Sequence, residues 1–304
     1  MQFRLHLRVR WRLQNISSSI IINAKEKRSA HRMSYDFFTD HEKEIAQRFL
    51  NDKYLIIKAE DMDALTAIRR QVATVAAQAI NQPVPSDAEA GHFLNHIHEL
   101  ITGPELNDVR LKVITEMNRD PFFRRNYFKV AREMLMLLVG NELAMQRRVN
   151  LSIQMPNDDS SLLPTHADVW SGDSPYEIVL WIPLVDCHNT KSMYITNAKV
   201  DAEVQATFTQ FKNKSSEDLY KHIEKDVIFL NVPYGSALLF SQNVMHGNRV
   251  NRENETRWSM NCRFKSILSP YRGKTMGEFF EPITVRPLTR LGLDYRLPEG
   301  FYDE

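Results

Sequence analysis

Two hydrophobic periods divide the chain. Between about residues 60 and 146 apolar positions recur every three or four residues; beyond them they gather in short runs between turn residues. In EDMDALTAIRRQVATVAAQAI, Leu65, Ile68, Val72, Val75, Ala76 and Ala79 share one helical face, and an Asp near the start supplies a cap. NQPVPS ends that helix. Two further helical patterns follow, at about 105–118, with Leu106, Val109, Val113, Ile114 and Met117 in phase, and at about 124–145. Ahead of them KYLIIK, residues 53–58, reads as a short buried strand.

From about residue 147 the runs are RRVNLSIQM, YEIVLWIPLV, KSMYIT, DVIFLNV, GSALLFSQ, TRWSMNCRFKSIL and EPITVRPL. Many are β-branched or aromatic, and Asn, Asp, Gly, Ser and Pro clusters separate them, as in an all-β barrel or jelly roll. A polar, partly helical insert at 198–225 interrupts the series. The expected fold is α+β: a double-stranded β-helix, cupin-like, with its core at about 147–290 and a flanking layer of N-terminal helices at about 33–146. Residues 33–304 form one expected domain.

The first 32 residues carry eight Arg or Lys and one acid, Glu26. From Phe3 to Leu13 apolar and basic positions alternate strictly, which is a strand period and neither a presequence helix nor a secretory h-region. The segment reads as a basic leader ahead of a start at Met33, with a basic arm as the functional alternative.

Composition narrows the function. Lys and Arg number 39 against 38 Asp and Glu, so no global field draws nucleic acid or anionic membrane. No basic groove or ordered aromatic ladder points to nucleic acid, and no apolar run reaches the length of a membrane span. Two cysteines, Cys187 and Cys262, give no disulfide framework and fit a reducing compartment. A cytoplasmic protein acting on a small molecule is expected.

The candidate chemistry lies in PTHADVWSGD and HGNRVNRENETRWS. His166 and Asp168 stand at i and i+2, which in extended chain puts both on one face, roughly 6 to 7 Å apart. His246 follows an apolar strand and is the third ligand candidate. Two histidines and one carboxylate on one face leave three metal positions open, the facial triad of non-heme Fe(II) oxygenases. Ten residues lie between His246 and Arg257, and Ser259 is on the same strand face as Arg257. A guanidinium beside a hydroxyl is a bidentate receptor for a carboxylate, and a dicarboxylic acid chelating iron at its other end is 2-oxoglutarate. Arg263, six residues further along that face, is the rival receptor. As bland alternatives, Arg257 pairs with Glu253 or Glu255 on the surface, and His166 and Asp168 are turn residues.

Taken in order, His166-x-Asp168, His246 and Arg257-x-Ser259 resemble the Fe(II)/2-oxoglutarate-dependent dioxygenases. GSALLFSQNVMHGNRVN and YEIVLWIPLVD are similar to the phytanoyl-CoA-dioxygenase-like branch and, more narrowly, to the sporadic oxygenases of surface-carbohydrate clusters. The likeness spans about residues 147–268; the 77 residues between Asp168 and His246 exceed the compact members, and the insert accounts for the excess. The resemblance implies Fe(II), 2-oxoglutarate as co-substrate, and O2. It also implies hydroxylation or another oxidation of a small molecule, a sugar-derived intermediate among the candidates, with release of succinate and CO2. The alternative is a cupin-like metal-binding or carbohydrate-isomerising protein without O2 chemistry. Gln154, Trp181 and Asn261 are substrate-pocket candidates by strand alternation, Trp181 equally suited to the core. In GHFLNHIHEL, His92 and His96 stand at i, i+4 without an HExxH motif, and read as ordinary helix histidines.

Overall fold

The computed structural model describes residues 37–300, so the basic segment 1–32 lies outside the described residues. The chain divides into two units, residues 1–45 and 46–304. The described part of the first unit begins helix α1 (Asp40–Asp52), where Thr39 and Glu42 cap each other's backbone N–H groups.

After that helix, β1 (Tyr54–Lys58) and α2 (Met62–Ala79) follow in the second unit. Asp61 caps α2 by accepting from the Ala64 N–H at 2.8 Å, and Leu65, Ile68, Val72 and Ala76 form its buried stripe. Next come α3 (Ala90–Asn95) and α4 (Gly103–Arg119), the latter opened by a Thr102–Glu105 capping box. The helical pattern expected at 124–145 is broken in the structure. It becomes α5 (Pro121–Lys129), α6 (Arg132–Val139) and a strand, β2 (Leu143–Gln146). Gly140, at φ 123°, ends α6 in a conformation that other residues rarely adopt.

The remaining elements are β3 (Asn150–Gln154), β4 (Glu177–Pro183) and β5 (Tyr194–Thr196); α7 (Ala198–Ala206) and α8 (Ser216–Ile223) in the insert; β6 (Val227–Phe229), β7 (Ser236–Ser241), β8 (His246–Gly247), β9 (Arg257–Ser266), β10 (Phe280–Pro282) and α9 (Pro287–Asp294). The strand expected at 281–288 is thus mostly not strand, because Pro287 opens a helix. All pairings between these strands are antiparallel. A seven-stranded sheet runs β1-β7-β4-β9-β2-β10, with β3 also on β9, and a three-stranded sheet runs β6-β5-β8. Helices and antiparallel sheet are therefore mixed, as the expected α+β class requires.

β9 positions the site because its two faces differ in kind. Trp258, Met260, Cys262 and Phe264 are fully buried on one face. The Trp258 indole N–H donates to the Leu94 carbonyl at 2.8 Å, and the Tyr127 hydroxyl donates to the Leu180 carbonyl on neighbouring β4 at 2.7 Å. Truncating an aromatic buried in this way costs about 3–5 kcal/mol, which fixes β9 rigidly against the helices. By alternation the other face carries Arg257, Ser259, Asn261 and Arg263.

Candidate metal centre and its cavity

His166 and His246 face each other across an isolated antiparallel bridge, each backbone N–H donating to the other's carbonyl, at 3.0 and 2.8 Å. The side chains repeat one local device. His166 Nδ1 lies 2.7 Å from the Pro164 carbonyl and His246 Nδ1 lies 2.9 Å from that of Val244, so each Nδ1–H is donated two residues back. In that tautomer each Nε2 carries the lone pair, the form in which an imidazole can ligate a metal. Asp168 begins a short 3-10 turn, Asp168–Ser171, after an extended Ala167, which keeps residues 166 and 168 on one face without a continuous strand. Ligand atoms of His166, Asp168 and His246 all lie within 4.8 Å of one another, and His166 Nε2 is 3.5 Å from Asp168 Oδ1. Among the described residues this is the one group of three such side chains close enough to hold an ion.

The electrostatics suit a cation. Burial by itself would raise the Asp168 carboxyl, but the His166 hydrogen bond and the charges of His246 and Arg263 hold it well below the ordinary carboxylate range. Burial brings His246 down to about 4, so its ring is neutral at physiological pH. Burial also opposes charging of His166, yet the hydrogen bonds to Asp168 and Pro164 leave it raised.

Gly247 closes the site at the His246 end. A Cβ there would meet the Tyr194 hydroxyl at 2.6 Å and the Leu163 carbonyl at 2.8 Å, so only glycine lets the strand lie this close. The insert braces the same strand. Asp201 accepts from the Met245 N–H at 2.7 Å, Gln205 donates to the Asn243 carbonyl at 2.6 Å, and Glu217 holds Arg249 through two hydrogen bonds.

A cavity of about 340 Å³ extends from His246 to Arg257, with Trp181, Met193, Phe240 and Asn261 in its wall. Arg257 is 3% exposed. Its Nη2 donates to Ser152 Oγ at 2.8 Å, its Nε has no partner, and among the described residues no carboxylate pairs with it. Burial brings this guanidinium down to about 10. The surface pairing with Glu253 or Glu255 does not form: Glu255 pairs with buried Lys191 at 2.5 Å, and Glu253 accepts from Thr190. Ser259 is fully buried beside it, opposite Ser152 in the strand register, and its hydroxyl also lacks a partner. The buried guanidinium and the hydroxyl alongside it thus keep hydrogen-bonding capacity that no neighbouring group uses.

Other sequence candidates separate. Trp181 and Asn261 line the cavity and oppose each other in the register of β4 and β9. Gln154 is not among the lining residues; its amide donates to the Arg249 carbonyl at 2.7 Å, so its pocket role is set aside in favour of tying down the 249 loop. Arg263 does not reach the cavity: its Nη2 donates to Asp168 Oδ1 at 3.2 Å, while Asp173 and Gln146 hold the rest of the guanidinium. Ser152 and Arg110, both on the cavity wall, do not stand out in the sequence; for Ser152 the one signal is its strand parity with Gln154. His96 and His98 turn Nδ1 to backbone carbonyls, of His92 and Asn95, and His98 also to Thr256.

No family model and no curated protein matches the chain. Solved structures are similar at low identity. The non-heme monooxygenase ThoJ in its nickel complex is 17% identical, with 85% of this chain and 91% of that chain covered and a TM-score of 0.45. EctD from S. alaskensis with 2-oxoglutarate and 5-hydroxyectoine is 16% identical, with 76% and 77% covered and a TM-score of 0.47. HygX from Streptomyces hygroscopicus with nickel and 2-oxoglutarate bound is 13% identical, with 76% and 88% covered and a TM-score of 0.49.

Proposed function

We propose that the chain is an Fe(II)- and 2-oxoglutarate-dependent oxygenase acting on a small molecule in the cytoplasm, a sugar-derived intermediate being the class that the sequence resemblance favours. One observation carries the reading: the buried, carboxylate-free guanidinium of Arg257 shares a cavity with a ligand of the His166, Asp168 and His246 triad. On this reading the two sheets are the halves of a double-stranded β-helix in a catalytic domain flanked by the helices α2 to α6.

The donor set fits iron: two imidazole nitrogens and one ionised carboxylate on one side. Fe(II), 2-oxoglutarate and O2 together supply the oxidation, in which the co-substrate leaves as succinate and CO2 and one oxygen atom goes to the substrate. The chain's own residues orient and exclude. Arg257 receives the distal carboxylate through N–H groups that Ser152 does not use, and Ser259 donates its free hydroxyl. Trp181, Met193 and Phe240 keep water from the cavity, which strengthens that charge-assisted contact. The carbonyls of Pro164 and Val244 retain the Nδ1 protons of His166 and His246 and so hold both rings in the ligating tautomer.

Titrating 2-oxoglutarate into Fe(II)-loaded and metal-free protein under anaerobic conditions tests the proposal. Saturable binding of one equivalent that needs the metal supports it; equal affinity with and without metal, or none in either state, refutes it.

A further inference from the structure

A second concavity, about 890 Å³, lies between α4, residues 146–150 and the turn at 278–279. It carries Arg119, Arg147 and Arg148 against one acid, Glu278, which is engaged by the Thr275 hydroxyl at 3.0 Å. Arg147 donates to the Gly277 carbonyl at 2.9 Å, and Arg119 has an exposed partner in Glu116. The Arg148 guanidinium has no partner among the described residues. An adjoining hollow shares Arg119 and Arg147 and adds Arg124, Arg125, Lys129 and Arg132 beside two acids, Asp120 and Glu281; Glu281 pairs with Arg124 and Arg147, Asp61 with Lys129, and Glu133 with Arg132. On a chain of net charge +1 this is a strong local concentration of positive charge. Arg148 is exposed and has no carboxylate partner, and an anion seated in the cleft would give it one.

The floor of the cleft connects it to the metal centre. Gln146 Oε1 accepts from Arg263, at 3.3 Å from the backbone N–H and 3.4 Å from Nη1, and Arg263 in turn holds Asp168 Oδ1. Asn150 donates to Asn261 Oδ1 at 2.9 Å, and Asn261 lines the cavity of His246 and Arg257. The cleft is therefore one side chain away from a triad ligand on one side and from the co-substrate cavity on the other.

We infer that this cleft receives the anionic part of the substrate, a phosphate or a comparably charged carboxylate group on the molecule whose oxidisable carbon lies at the triad. The inference rests on the functional reading above. It assigns Arg148 and Arg147 as the receptors, Arg148 first because its fork is free, with Asn150 and Gln146 beneath them as neutral hydrogen-bonding groups.

The test uses the full chain, metal-free so that chelation does not intrude, with inorganic pyrophosphate and citrate as probes in calorimetric titrations. One saturable site is expected, weakened about ten-fold or more by Arg148→Glu through loss of a charge-assisted contact. Lys199→Glu, an exposed change in the insert, should leave it alone. Preference for pyrophosphate assigns a phosphate, and preference for citrate a carboxylate. Pyrophosphate affinity unchanged by Arg148→Glu overturns the inference. So does an oligonucleotide that binds more tightly than pyrophosphate, with a steep salt dependence, since the patch would then serve a polyanion. These arms leave the functional reading to its own test: pyrophosphate reports on the cleft, 2-oxoglutarate on Arg257.

Discussion

Arg257→Lys tests the co-substrate role proposed for Arg257. In the wild-type chain the guanidinium has one N–H committed to Ser152 and its Nε idle, which leaves two parallel donors for a carboxylate. Lysine keeps the charge but offers a point donor on a shorter reach, so at least one charge-assisted hydrogen bond is lost. Such a bond is worth about 1.5–3 kcal/mol, which raises the dissociation constant of 2-oxoglutarate roughly ten- to a hundred-fold. Arg257→Met adds a sign that packing alone would not give. Because no carboxylate pairs with this buried cation among the described residues, its removal relieves desolvation and should leave the ligand-free protein as stable as wild type or more so. The same variant should lose the thermal stabilisation by 2-oxoglutarate, which amounts to about 2.7 kcal/mol at a hundred times the dissociation constant. Calorimetric titration at saturating Fe(II), paired with melting curves, reads both effects. A lysine variant whose 2-oxoglutarate affinity stays within about three-fold of wild type, or a methionine variant that unfolds several degrees early, refutes the receptor role.

Two further outcomes concern neighbouring charges. Arg263→Lys should weaken metal binding about ten-fold, because Asp168 loses the fork that fixes its carboxylate, while 2-oxoglutarate affinity at saturating metal stays near wild type; an unchanged metal dissociation constant would remove Arg263 from the account. Glu177 is pushed up to about 7, chiefly by burial and then by Asp173, from 4.5 in the unfolded chain. Between those values the folded protein binds more protons than the unfolded one, so this group's contribution to stability falls as pH rises. Glu177→Gln should flatten that fall, a difference of about 3 kcal/mol between pH 4.5 and 7, and parallel unfolding curves for the two proteins across that range would contradict it.

What could be read from the sequence was what depends on short spacing. His166 and Asp168 share a face because two residues of extended chain suffice, although the structure supplies a single bridge and a 3-10 turn in place of a strand. Arg257 and Ser259 were legible as a pair for the same reason. Ser152 was not, since a strand serine is commonplace and the register that sets it opposite Ser259 is a long-range fact. Residues 124–145 kept helical phase throughout, so the switch to β2 after Gly140 was hidden: Leu143–Gln146 pairs with β9 and β10, and tertiary pairing overrode local propensity. Arg263 reads as a rival receptor, but its reach to Asp168 depends on where the loop before β4 returns. The insert looked like an interruption, yet Asp201 and Gln205 hold the residues just before His246.

Succinate formation from 2-oxoglutarate tests the central claim most directly. Wild-type protein with Fe(II) and O2 should form succinate in a metal-dependent reaction, slowly by itself and faster with a productive substrate. His166→Ala should abolish it with little change in melting temperature, because the backbone bridge to His246 does not need the imidazole. Succinate formed by His166→Ala at the wild-type rate would contradict the account.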